Sequence, residues 1–229
     1  MSLRLLSFAL VLALGPVDPV DALGADVGVR ASVLGGLHTV GVEAFSPNVE
    51  LGDDAARSTS IGGSVEFVLP FFGLRVGGRA SHHFGETDVE TANAAALGVL
   101  DLAGTFELDA NEFAGYVESH LRFASWSIQD PFLGVGAEYA HLDLDGEFVS
   151  SRAARTRSAL EGATNVMRVY GVGGVDIVEG FGLVARGGYA FHDGLTVPAD
   201  ALRVTGTPAG ARFDYEGVFG SIGLMVRIR

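Results

Sequence analysis

Residues 73–85, GLRVGGRASHHFG, alternate strictly. Leu74, Val76, Gly78 and Ala80 fall on one parity, and Arg75, Gly77, Arg79, Ser81 and His83 on the other. Side chains of a strand point to opposite faces with a period of two, so this stretch predicts a strand with one apolar face and one carrying two arginines. The same alternation recurs along the chain. On 61–69, Ile61, Gly63, Val65, Phe67 and Leu69 oppose Ser64 and Glu66, and on 112–124, Phe113, Val117, Leu121 and Phe123 oppose Tyr116, Glu118, His120 and Arg122. On 166–177, Met167, Val169, Gly171, Gly173, Val175 and Ile177 oppose Arg168, Tyr170, Gly174 and Asp176. On 181–192, Phe181, Leu183, Ala185, Gly187, Tyr189 and Phe191 oppose Arg186, Gly188 and His192. With 26–38, 132–144 and 213–228 added, the pattern predicts eight strands.

The connectors alternate in length. Those at 46–60, 85–105, 145–164 and 193–211 are long, whereas Pro70-Phe71-Phe72, the SWSIQDP turn and Val178-Glu179-Gly180 are short. That order puts both chain ends on the short-turn side; a further hairpin inside 85–112 would make ten strands. One polar face per strand, repeated around a sheet, predicts a closed cylinder with a polar bore. Its lumenal set is Arg30, Arg75, Arg79, Arg122, Arg168 and Arg186 against Glu66, Glu118, Glu138 and Asp176. An eight-stranded bore is only just wide enough for its side chains, so these charges are desolvated and must pair. In a soluble barrel, such as a secreted lipocalin-like one, the arginines would face water and need no matching acids.

The N-terminus explains how such a chain reaches a membrane. Arg4, the apolar run Leu5 to Gly15 and the small-x-small Val20-Asp21-Ala22 predict a secretory signal over 1–22 and a barrel domain over 23–229. The run is too short for a spanning helix of about 20 residues, and no other stretch approaches that length, so any crossing must use strands. Glycine supplies 33 of 229 residues, about twice ordinary usage, which disfavours helix. Cysteine is absent, excluding disulfides and thiolate chemistry, and the net charge of −13 excludes a nucleic-acid binder. All fifteen basic residues are arginines, suited to planar, two-pronged contacts with carboxylates.

Aromatic residues gather at the strand ends. Phe71, Phe72, Phe123, Trp126, Phe132 and Phe181 lie near the short turns, and Phe45, Phe84, Tyr139, Tyr189, Phe191, Phe213 and Tyr215 near the long connectors. Two aromatic belts at headgroup level are expected of a membrane barrel. The chain closes on SIGLMVRIR, in which Ser221, Gly223, Val226 and Ile228 match the insertion signal of outer-membrane barrels; it ends in Arg229, where many bacterial members end in phenylalanine. Residues 24–229 thus resemble the small bacterial outer-membrane β-barrel family, which includes the outer-membrane protein A barrel, outer-membrane protein X and the opacity-type proteins.

The resemblance implies an all-β, eight-stranded antiparallel up-and-down transmembrane β-barrel with short periplasmic turns and long extracellular loops. It implies residence in the cell outer membrane after export through the periplasm, with outer-membrane lipid, lipopolysaccharide and the barrel assembly machinery as partners. An extracellular ligand would meet loops 46–60, 85–105, 145–164 or 193–211. The role expected is non-enzymatic, structural or surface-interacting, with the bore plugged by ion pairs; a narrow pore for ions or small solutes is the alternative.

Catalysis, cofactors and metals are not expected. His82, His83, His141 and His192, with Ser81, Asp143 and Asp193, fall near the outer strand ends, where some barrels carry lipid A-modifying acyl chemistry. The lipid A deacylases carry His-x-Ser, and no histidine here has serine two residues on. The acidic residues of the long connectors lack an Asp-x-Asp-x-Asp-Gly calcium loop and read as a solvated rim. Arg152, Arg155 and Arg157 form the one basic cluster there, able to hold a lipopolysaccharide phosphate.

Overall fold

The computed structural model describes residues 28–46, 49–50, 54–69, 73–90, 103–122, 130–150, 157–178, 180–192, 194–197 and 210–228. The predicted signal, residues 1–22, lies outside them. The strands are β1 (Gly28–Ser46), β2 (Val49–Glu50), β3 (Asp54–Val68), β4 (Leu74–Glu90), β5 (Ala103–Arg122), β6 (Asp130–Ser150), β7 (Arg157–Val178), β8 (Phe181–His192), β9 (Leu195–Val197), β10 (Gly210–Asp214) and β11 (Gly217–Ile228).

From β3 to β8 each strand pairs antiparallel with the next, β3 also pairs with β1, and β11 pairs with both β8 and β1. The β1–β11 ladder runs from Val29↔Ile228 to His38↔Phe219 and closes the cylinder. Beyond short breaks, β9 follows β8 and β10 precedes β11, pairing with each other and, through β10, with β1. The wall therefore has eight staves, as the alternation predicts. β4 pairs directly with β5 as far as Glu90↔Ala103, so the ten-stranded count is wrong.

Closure explains the composition of each face. A closed barrel leaves no unpaired sheet edge, the condition for backbone to lie in hydrocarbon. Val33 is 64% exposed and Ile222 65%, and Ile61, Phe113, Val117, Leu133, Val169 and Val218 share that outer surface. Arg30, Arg75, Arg79, Arg168, Arg186, Glu66, Glu118 and Glu138 are all buried in the bore. The polarity is inside out, as the opening stretch predicts: Val76 faces outward, Arg75 and Arg79 inward.

The strands run further than the sequence pattern predicts. β3 begins inside the predicted 46–60 connector, β4 and β5 extend into 85–105, β6 and β7 into 145–164, and β9 and β10 occupy parts of 193–211. The reason is a reversal of polarity. Above the apolar band, Glu86, Glu107, Asp109, Asp143, Asp145 and Glu161 point outward and are exposed. On the opposite face Ala110, Leu142 and Leu144 are buried, with Leu108 packed against them. There the sheet follows the rule of a soluble protein, apolar side in and charged side out, so the apolar-out alternation stops before the strands do.

Inside, rings lie over glycines. Tyr116 is paired in register with Gly77, Tyr170 with Gly136 and Phe132 with Gly174. A Cβ on Gly136 would sit 2.6 Å from the Tyr170 ring, whereas one on outward-facing Gly115 meets nothing within 4 Å. Gly136→Ala is therefore expected to cost about 1–3 kcal/mol by overpacking and Gly115→Ala nearly nothing, read from urea unfolding in lipid vesicles. Equal costs at both sites would contradict this packing of the bore.

Candidate functional site

The bore is the site that sequence reasoning singles out, and its charges sort into three layers. In the upper layer Arg79 and Arg168, from β4 and β7, face Glu112 and Glu138, from β5 and β6. Arg79 Nη2 donates to Glu112 Oε1 at 2.8 Å and to Glu138 Oε1 at 2.7 Å. Arg168 Nη1 donates to Glu138 Oε1 at 2.6 Å, and its Nη2 donates to Glu112 Oε2. Two guanidiniums and two carboxylates thus form a closed quartet. His83 Nε2 lies 3.3 Å from Glu112 Oε2, and Ser81 Oγ donates to Glu112 Oε1 at 3.1 Å.

The middle layer lies toward the short turns. Arg75 Nη1 donates to Glu66 Oε1 at 2.7 Å, and Arg186 Nε donates to Glu118 Oε1 at 2.7 Å. Arg186 also approaches Glu66 Oε2 at 3.8 Å, joining the two pairs. Tyr116 donates to Glu66 at 3.3 Å and Tyr170 to Glu118 at 3.0 Å, while His120 Nε2 lies 2.7 Å from Glu118. Arg75, Arg168 and Arg186 stack over the rings of Phe132, Phe219 and Tyr116 at 5.1–5.4 Å, the geometry of cation–π contact.

The third layer is the mouth. Asp176 Oδ2 is 3.6 Å from Arg30 and 4.0 Å from Arg122, spacings of loose ion pairs. Arg30 is buried and its Nη1 also meets Met225 Sδ at 3.2 Å. Arg122 departs from the prediction. It has the lumenal parity, but its side chain is 45% exposed, because it is the last residue of β5 and reaches solvent at the open end.

The remaining nine of the ten predicted network residues lie in the bore together. Sequence reasoning passed over Glu112, whose carboxyl belongs to the quartet and is fully buried. Its parity with Tyr116 and Glu118 is the signal that would have found it. Two aromatic assignments also change. Phe132 and Tyr215, expected in the membrane belts, are buried inside, Phe132 stacked on His120 and Tyr215 edge-on to His192. Phe84, Tyr139, Tyr189 and Phe191 are exposed outward as expected. The side chains of Phe45, Phe71, Phe72, Phe123, Trp126 and Phe213 lie outside the described residues.

The expected rim histidines separate. His82 and His141 are outside, bonded to Asn111 at 3.2 Å and Asn165 at 3.0 Å, whereas His83 and His192 are inside. Ser81, His83 and Glu112 do meet. However, both Ser81 and Glu112 approach the same His83 nitrogen, Nε2, at 3.4 and 3.3 Å. A relay from acid through imidazole to hydroxyl needs the two ring nitrogens on opposite partners. Among the described residues no cluster of three or more histidine and carboxylate side chains could hold a metal ion. Asp193, Arg152 and Arg155 lie outside the described residues, as does the Arg157 side chain.

On β11, Ser221 and Gly223 have the bore-facing parity, and Val226 and Ile228 are exposed on the lipid-facing surface. A closed eight-stave antiparallel cylinder, apolar outside and ion-paired within, has the fold of the small outer-membrane β-barrels. OprG, an outer-membrane protein of Pseudomonas aeruginosa, matches it with a TM-score of 0.62 at 13% identity, over 90% of this chain and 99% of that one. Neisserial surface protein A and the N-terminal barrel of Pseudomonas aeruginosa OprF also match. Their TM-scores are 0.37 and 0.39 at 14% and 11% identity; the matches cover 86% and 89% of this chain and 97% and 100% of theirs. No protein-family model and no curated protein sequence matches the chain.

Proposed function

We propose that this chain resides in the outer membrane as a non-enzymatic barrel with a structural or surface-interaction role, its bore closed by ion pairs. The quartet of Arg79, Arg168, Glu112 and Glu138 carries this reading. Four buried charges paired with one another across the bore obstruct hydrated ions, and prising them apart exposes unpaired charge. The signal-like segment 1–22 would direct export, and Ser221, Gly223, Val226 and Ile228 would present the last strand to the assembly machinery. Lipid and lipopolysaccharide would then cover the apolar band, leaving the acidic upper sheet and the loops to meet extracellular ligands. Planar-bilayer recording of the purified protein tests the plug. The expected trace is flat, and a steady open conductance of nanosiemens size would overturn the reading.

A narrow pore is the second reading, and one observation favours it. Arg79 Nε, Arg168 Nε and Glu138 Oε2 are buried without a hydrogen-bond partner, so the quartet has unused donors and an acceptor with which to rearrange. Glu138→Gln would then give discrete openings absent from the unaltered chain. Silence in both would leave only the plug.

A further inference from the structure

Two neighbouring staves break at the same height: β8 gives way to β9 around residue 194, and β10 to β11 at 215–216. His192 stands at that break and holds three staves together. Its Nδ1 accepts the backbone N–H of Gly194 at 3.0 Å and that of Tyr215 at 3.2 Å. Its Nε2 lies 2.8 Å from Thr164 Oγ1 on β7. Gly194 has φ of 75°, a left-handed conformation that glycine adopts without strain and that lets the chain turn its amide back to the ring.

The chemistry of this contact is one-sided. An imidazole nitrogen that accepts two N–H bonds must present its lone pair, so Nε2 carries the proton and points it at Thr164. Protonation of Nδ1 removes the acceptor from both amides at once and sets a donor against them. Among the described residues, titratable groups beside the ring include Asp214, whose Oδ1 is 3.5 Å from Nδ1, and Tyr215, whose ring meets it edge-on at 5.7 Å. Beyond Tyr215 stand Glu112 and Arg168. Asp214 is the one positioned to receive the new N–H, drawing the ring away from the amides. Above the clip, no backbone pairing joins β9 to β7 among the described residues; Leu195 packs there on Gly162, whose Cβ position would be 2.9 Å from a Leu195 methyl.

We propose that His192 is an acid-sensitive clip: neutral, it fastens the outer end of the β8–β9 stave to Tyr215 and to β7, and protonated, it releases β9 from β7 while β10 stays paired to β1. Acidification then frees Leu195 from Gly162 and uncovers the apolar lining formed by Leu108, Leu142 and Leu144. Sign and direction follow from the lone pair alone: the fastened state requires neutral imidazole and is lost as pH falls. The inference is independent of whether the bore conducts.

The chain has no cysteine, so Leu195→Cys supplies a single thiol in the full-length protein, refolded in lipid vesicles. Its maleimide labelling rate is divided by that of Ala159→Cys, an exposed position on β7, which cancels the pH dependence of thiol ionisation. Between about pH 7.5 and about pH 5 this ratio should rise about tenfold or more. With His192→Asn added, whose Oδ1 accepts at the place of Nδ1 and does not titrate, the ratio should stay low throughout. A flat ratio with His192 present overturns the proposal and needs no second variant. An equal rise with His192→Asn also overturns it, by assigning the acid response to another group such as Asp214.

Discussion

Arginine in place of Val117 is expected to destabilise the protein by about 2–4 kcal/mol in a bilayer, the cost of a guanidinium on the lipid face near the midplane of a barrel. Val117 lies outward on β5, between Val76 of β4 and Ala137 of β6 in register, and its side chain is 45% exposed. Were that exposure to water, the same substitution would change stability by no more than about 0.5 kcal/mol. The two environments thus predict effects differing several-fold from one residue. Urea unfolding of the variant refolded into lipid vesicles gives the number. A cost near zero would mean that this surface does not meet hydrocarbon, and the inside-out assignment would fall with it.

Arg168→Ala is expected to cost about 3–5 kcal/mol, the penalty for stranding buried charge by removing its partner. It leaves Glu112 and Glu138 to share Arg79, with their carboxyl groups fully or almost fully enclosed. The neutral pair offers a sharper comparison. Arg168→Met combined with Glu112→Gln should cost less than the two changes summed, with a coupling of about 0.5–3 kcal/mol for residues in one network. Exposed ion pairs contribute at most about 1 kcal/mol and weaken with salt. If the single loss costs that little and falls further at high salt, water reaches the quartet and the bore is not sealed.

Both expectations rest on a pattern legible along the chain. A period of two needs no structure to be read, and it assigns Arg75, Arg79, Glu66, Glu118, Glu138, Arg168 and Arg186 to one side of the wall. Glu112 obeys the same rule, sharing the parity of Tyr116 and Glu118. Phe132 and Tyr215 stand near strand ends, but their parity, shared with Glu138 and Phe219, turns them inward.

What the alternation could not carry is anything that depends on two strands at once. The quartet is made by staves β4, β5, β6 and β7 meeting in one register, and a slip of a single residue would send Glu112 to the lipid while leaving its own strand pattern intact. The His192 clip joins residues 164, 192, 194 and 215, brought together by breaks in neighbouring staves that no local pattern announces. The solvent also changes partway up the wall, so one rule for apolar positions governs the lower strand and its opposite the upper.

Taken alone, the order of residues determined that the chain forms strands and which parity of each strand faces the bore. Each of these follows from local backbone geometry and the need to hide either charge or hydrocarbon. Only the tertiary structure decided which arginine meets which glutamate, that Arg122 escapes to the mouth, and where the strands leave the membrane. Those outcomes depend on distances across a bore, and a one-dimensional period contains none.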